Sequence, residues 1–77
     1  EISNESNFKI YPNPVDNILN INSINEINSI IYDINGKKVL ESNSKNINIE
    51  KLAKGIYVIK IKDIVNNISE SIKIVKK

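Results

Sequence analysis

The sequence predicts an all-β fold, a seven-stranded sandwich of two antiparallel-rich sheets, and three observations carry that reading. Short runs rich in isoleucine, valine and tyrosine alternate apolar with polar residues, the period of a half-buried strand. Turn signals such as Pro12-Asn13-Pro14, Asn35-Gly36 and Lys54-Gly55 separate these runs at regular spacing. No window shows a convincing helical repeat; the nearest, Glu50 to Lys54, is too short for more than one turn. A chain of 77 residues has room for one domain. A domain of that size buries only about 60 % of its unfolded surface, so modest stability is expected.

Phe8 to Tyr11 reads as the first strand. Proline fixes φ and has no N–H, so Pro12 and Pro14 around Asn13 make a stiff corner that cannot lie inside a sheet. Ile18 to Asn22 is the second strand, with Leu19 and Ile21 on one face and Asn20 and Asn22 on the other. Ser23 to Glu26 is a polar bend with Ile24 tucked beneath it. Ile27 to Ile34 and Lys37 to Glu41 form a hairpin about Asn35-Gly36, the pair that suits a two-residue type I′ turn. That turn would set Ile34 opposite Lys37, Asp33 opposite Lys38, Tyr32 opposite Val39 and Ile31 opposite Leu40, with Asp33 and Lys38 as a cross-strand ion pair.

A loop from Ser42 to Lys45 leads to a short fifth strand, where Ile47 and Ile49 alternate with Asn46, Asn48 and Glu50. Lys51 to Gly55 turns a corner with Leu52 buried. Ile56 to Lys62 is the sixth strand: Tyr57, Ile59 and Ile61 share one face, Val58, Lys60 and Lys62 the other. Asp63 to Asn67 is a turn. Ile68 to Lys77 is the seventh strand, with Ile72 and Ile74 on one face and Ser71, Lys73 and Val75 on the other. Leu52-x-x-Gly55-x-Tyr57 sits where immunoglobulin-like sandwiches place a tyrosine corner, whose hydroxyl bonds upstream backbone. The other reading of Tyr57 is an ordinary half-buried aromatic.

Composition excludes much. There is no cysteine, hence no disulfide and no thiol chemistry, and no histidine, hence no serine–histidine or cysteine–histidine machinery. The net charge is only +2 and every cation is lysine. Without arginine the bidentate fork that reads guanine or grips phosphate is missing, so nucleic acid is not an expected partner. Abundant isoleucine and asparagine fit an AT-rich coding bias, which discounts isoleucine slightly as a strand signal. No apolar run approaches the ~18 residues of a membrane span. The polar opening, Glu1 to Asn7, reads as a linker from an upstream region, with the domain running from Phe8 to Lys77.

Local motifs each have a plainer reading. Asp33-Ile34-Asn35-Gly36 lacks the alternate ligand and the distal glutamate of a calcium loop, which favours the hairpin. Glu41, Glu50, Asp63 and Glu70 fall at loops or on polar faces and no geometry pairs them for acid–base work. Asn4-Glu5-Ser6 and Asn67-Ile68-Ser69 match the glycosylation triplet but are expected by chance in so asparagine-rich a chain. Asn35-Gly36 is also a plausible deamidation spot, without functional weight. The run Ile72-Lys73-Ile74-Val75-Lys76-Lys77 has two readings: an edge strand protected by lysines, favoured on local sequence, or a recognition tail read by backbone pairing and side-chain pockets.

Taken in order, Tyr11-Pro12-Asn13-Pro14-Val15, Tyr32-Asp33-x-Asn35-Gly36-Lys37-Lys38-Val39, Leu52-x-x-Gly55-Ile56-Tyr57-x-x-Lys60-Ile61 and Lys73-Ile74-Val75-Lys76 resemble the type A C-terminal sorting domain of the type IX secretion system, the Por secretion tail family of Bacteroidetes. Mild departures are an apolar stretch from Ile64 to Ile68 and Ser29 where a larger apolar residue is expected. The resemblance implies a seven-stranded immunoglobulin-like sandwich that performs no catalysis, holds no cofactor or metal and addresses an attached cargo for export. It implies transit through the periplasm, recognition by an outer-membrane translocon and its shuttle proteins, and removal by a cell-surface sortase. Cargo then stays at the surface, attached to lipopolysaccharide, or is released. The motif positions it marks are Pro12, Asn13 and Pro14, Gly36, Gly55 and Tyr57, and Lys73, Ile74, Val75, Lys76 and Lys77, with the export signal concentrated near the last strand. The alternative is an accessory sandwich that binds carbohydrate, which would need aromatic platforms; the only aromatics are Phe8, Tyr11, Tyr32 and Tyr57.

Overall fold

Residues 8–77 are described by a computed structural model; the expected linker and the first glycosylation triplet lie outside the described residues. The strands are β1 (Lys9–Tyr11), β2 (Ile18–Asn22), β3 (Ile27–Tyr32), β4 (Lys38–Ser42), β5 (Asn46–Asn48), β6 (Gly55–Asp63) and β7 (Ile68–Lys76). They build a three-stranded sheet in the order β1-β2-β5 and a four-stranded sheet in the order β4-β3-β6-β7. Every ladder is antiparallel. The fold is thus the expected seven-stranded sandwich.

The core follows from the alternation in each strand. Leu19 and Ile21 of β2 and Ile47 of β5 face Ile27 and Ile31 of β3, Tyr57, Ile59 and Ile61 of β6, and Ile74 of β7. Phe8, Val15 and Ile49 close the rim, and Leu52 and Ile72 pack against it half-buried. Each fully buried isoleucine contributes roughly 1.5–3 kcal/mol relative to exposure. β6 is the spine: it pairs with β3 and β7, and every second residue from Tyr57 to Asp63 is buried.

Three expectations need correction. Ile24 is not tucked under its bend but 97 % exposed, on the bend that carries the chain from β2 in one sheet to β3 in the other. The hairpin is not a two-residue type I′ turn. Ile31 does oppose Leu40, but a register shift sets Tyr32 opposite Lys38. The cause is Asp33: its carboxylate accepts from the N–H of Asn35 (2.9 Å) and of Lys37 (3.0 Å), while Gly36 N–H donates to the Asp33 carbonyl at 3.0 Å. That Asx turn needs a left-handed φ only at Gly36 (+83°), and the extra residue becomes a bulge. Asp33 is therefore spent locally, and Lys38 pairs with Glu41 at 3.1 Å instead of with Asp33. Third, the β3 strand ends at Tyr32 rather than Ile34, since Asp33 begins the turn.

Ser29, where a larger residue was expected, is fully buried on the inward face of β3, and its Oγ has no hydrogen-bond partner. A buried hydroxyl left unpaired costs about 1–3 kcal/mol.

Candidate functional site

The first and last motifs of the chain meet. β7 is an edge strand, and its outer edge is covered at the C-terminal half by the Pro12–Val15 corner. Prolines cannot present a continuous row of N–H groups, so the Asn13 carboxamide acts in place of a peptide unit. Its Nδ2 donates to the Lys73 carbonyl and its Oδ1 accepts from the Val75 N–H, both at 3.1 Å. The main chain then takes over. Val15 N–H donates to the Val75 carbonyl at 2.8 Å and Lys77 N–H donates to the Val15 carbonyl at 2.9 Å, a parallel bridge between Val15 and Lys76. Val15 itself is fully buried, pinning the corner to the core. Both Tyr11-Pro12 and Asn13-Pro14 peptide bonds are cis.

The second corner abuts the first. Gly55 is in register with Lys76 and Tyr57 with Ile74. Tyr57 is buried and its hydroxyl donates to the Ala53 carbonyl at 2.7 Å, the tyrosine-corner bond. It fastens the segment by which the chain crosses from β5 in one sheet to β6 in the other. Gly55 has φ +147°, outside the range of other residues, though a Cβ there would meet nothing within 4 Å. The register of β3 with β6 carries the Gly36 turn to this same end of the sandwich. All four motifs thus converge on one end.

Within the terminal strand the side chains divide. Ile74 is fully buried and Lys76 is only 8 % exposed, its Nζ donating to the Lys77 carbonyl at 2.9 Å. Lys73 is exposed, Val75 is half-buried, and Lys77 lies 3.9 Å from Asp16 with both side chains largely in solvent. Such an exposed pair contributes about 0–1 kcal/mol. Of this run, Lys73, Val75 and Lys77 are thus accessible on the folded domain, while Ile74 and Lys76 lie beneath the strand. Val15 closes the first motif, but its part in holding the last strand is something motif reading did not foresee. The available signal was that it carries the first free N–H after the corner, on an apolar residue.

Elsewhere the polar groups are structural. Asp63, at the opposite end, accepts from Asn25 Nδ2 (3.0 Å), Asn66 Nδ2 (3.3 Å) and the N–H groups of Val65 (2.9 Å) and Asn66 (3.0 Å). The Asn25 side chain above all, with these turn amides, holds its carboxyl below the usual range. Glu41 is likewise lowered, by its hydrogen bond to Lys38 and that lysine's charge. Among the described residues no group of acidic side chains is placed to hold a metal ion. Nor do the aromatics form a platform: Phe8 and Tyr57 are buried, while Tyr11 and Tyr32 lie on different sheets.

Fold and site together define a class, a small two-sheet sandwich whose terminal strand is held in place by an N-terminal corner. The family model for the secretion system C-terminal sorting domain matches residues 9–77, and the chain belongs to that family, the type IX family its motifs resemble. A solved structure of PorZ, an essential bacterial surface component of the type-IX secretion system of Porphyromonas gingivalis, is similar with a TM-score of 0.70 and 19 % identity over 91 % of this chain. The match spans 11 % of the PorZ chain, and at that identity it speaks to the fold alone. No curated protein matches the sequence.

Proposed function

We propose that this domain is a non-catalytic address. It directs a covalently attached upstream cargo to the outer-membrane translocon of the type IX system, after passage through the periplasm and with shuttle proteins as intermediaries. A cell-surface sortase then removes it, leaving cargo at the surface or released. Residues 1–7 serve as the linker, and residues 8–77 as the sorting domain. The observation that carries this reading is the family match across residues 9–77, in a chain whose terminal strand is fixed by backbone and side-chain bonds from Asn13 and Val15.

In mechanism, Asn13 and Val15 hold the last strand extended, and Tyr57 and Gly55 hold its neighbour. Lys73 and Lys77 are thereby presented at fixed positions, steering encounter with an acidic receptor surface, an effect salt weakens. The test is a periplasmic reporter fused ahead of residue 1 in a type IX-competent host. Deleting Lys73 to Lys77 should abolish export, and Lys73→Ala with Lys77→Ala, which leaves the core intact, should reduce it. Unchanged export of the deletion would sink the reading.

A further inference from the structure

The two outer faces of the sandwich differ in kind. The exposed face of the three-stranded sheet carries Asn20, Asn22, Asn46 and Asn48 with Lys9, and Asn46 Nδ2 bonds Asn20 Oδ1 across it. Its two exposed apolar residues, Tyr11 and Ile18, are each set opposite an asparagine, Asn20 and Asn48, so the face is mostly polar, as expected of a sheet facing water. The outer face of the four-stranded sheet departs further from that rule. Register sets Tyr32 beside Val58 and Ile56 beside Val75, and Ile30 follows Tyr32 on the same side of β3. These five form one contiguous apolar field on three strands; Ile56 is 47 % and Val58 36 % exposed. None of them packs in the core.

Lysine predominates among the charges around the field. Lys38 lies beside Tyr32, Lys73 beside Val58 and Lys60 beside Ile30, with Lys62 one position further along β6. The strand acid that opposes Ile30, Glu41, is already paired with Lys38. Lys38 and Lys73 occupy the two edge strands, so the field with its rim spans all four strands, three inter-strand spacings of ~4.8 Å each. An apolar centre within a polar, mainly cationic rim is the anatomy of a protein-docking surface.

We infer that the outer face of β3, β6 and β7, centred on Ile56, Val58 and Val75, docks a protein surface that has an apolar centre and a carboxylate rim. The inference deepens the proposed function, on which it rests: the docked protein is a component of the export route. Charge complementarity selects an acidic partner. A sheet face centred on the β-branched Ile56, Val58 and Val75, with its one aromatic, Tyr32, half-buried beside Val58, favours a protein over a lipid surface. Val75 belongs to the field and Lys73 to its rim, so the terminal strand is read as part of a sheet face, together with Ile56 of β6 and with Val58, which no motif spells out.

The test uses the reporter fusion with four arms. Ile56→Ser with Val58→Ser, at exposed strand positions, should cut export at least about tenfold while the purified domain melts within a few degrees of the parent. Lys60→Glu with Lys73→Glu should do likewise. Ile18→Ser, at an exposed apolar position of the other sheet, should export as the parent does. Deletion of Lys73 to Lys77 is the fourth arm. If the deletion stops export and the folded face variants export normally, the docking face is wrong and the address reading stands. If the deletion too exports normally, both fall. Vesicles of anionic phospholipid supply the lipid control: the parent domain should stay unbound at 150 mM salt, and binding abolished by Val58→Ser would assign the face to a membrane and overturn the protein partner.

Discussion

The two ends of the sandwich solve the same problem, closing strands that would otherwise fray, by opposite means. At the Asp63 end most of the bonds are local: one carboxylate gathers the N–H groups of Val65 and Asn66, and Asn67 N–H returns to the Asp63 carbonyl at 2.8 Å, with Asn67 at φ +58°; only Asn25 Nδ2 to Asp63 and Ile64 N–H to the Glu26 carbonyl tie this turn to the neighbouring bend. At the Asn13 end the bonds join residues separated by 60 and 62 positions in the chain. A local turn forms early and costs little loop entropy, whereas the long-range closure exists only once both sheets are in place. The difference teaches where the chain invests specificity. The family motifs gather at the end closed by long-range bonds, and the other end carries exposed apolar residues such as Ile24 and Val65 with no motif.

Substitutions should rank accordingly. Ile74→Ala removes a fully buried side chain beneath the corner and should cost about 2–5 kcal/mol in urea unfolding. A loss under 1 kcal/mol would mean the terminal strand is only loosely docked. Asn13→Ala removes two side-chain bonds to β7 and should cost about 1–2 kcal/mol. Asn13→Asp tests the donor: it retains an acceptor for the Val75 N–H but turns an oxygen toward the Lys73 carbonyl, so it should be no better than alanine. Tyr57→Phe deletes one bond, to Ala53, and should cost about 1 kcal/mol with the fold retained.

The Asp63 end responds to acid instead. Its carboxyl is held below the unfolded value of ~3.9, so its contribution is fully present above that pH and fades as pH falls through the lower folded value. The gap in urea midpoint between the parent and Asp63→Asn should therefore narrow from pH 6 toward pH 2, and a constant gap would contradict the assignment. Smallest of all is Ile24→Ser, within about 0.5 kcal/mol of the parent, since the side chain lies in solvent.

The strands were legible in the sequence because each carries a two-residue apolar period: β2 matches its expected bounds, and Tyr57, Ile59 and Ile61 face the core as their alternation requires. Tyr57's bond to Ala53 was legible from a short spacing. What was not legible was competition for hydrogen bonds. Asn35-Gly36 alone favours a two-residue turn, but the Asp33 carboxylate outbids it for two backbone donors. The pairing of Asn13 with Lys73 and Val75 was equally hidden, because no period in either segment records which distant edge a corner will cover. The apolar outer face was hidden for a related reason. Val58 and Val75 each look like isolated exceptions until register sets Ile56 beside Val75 and Val58 between Tyr32 and Lys73.

Amide hydrogen exchange at Val75 and Lys77 tests most directly whether the corner holds the terminal strand. In the parent domain both amides, though on the edge of the sheet, should exchange at least about a hundredfold more slowly than the unpaired amide of Ser71 on the same edge, and Asn13→Ala should speed Val75 at least about tenfold. Val75 and Lys77 amides that exchange as fast as Ser71 in the parent would show that the corner does not hold the strand.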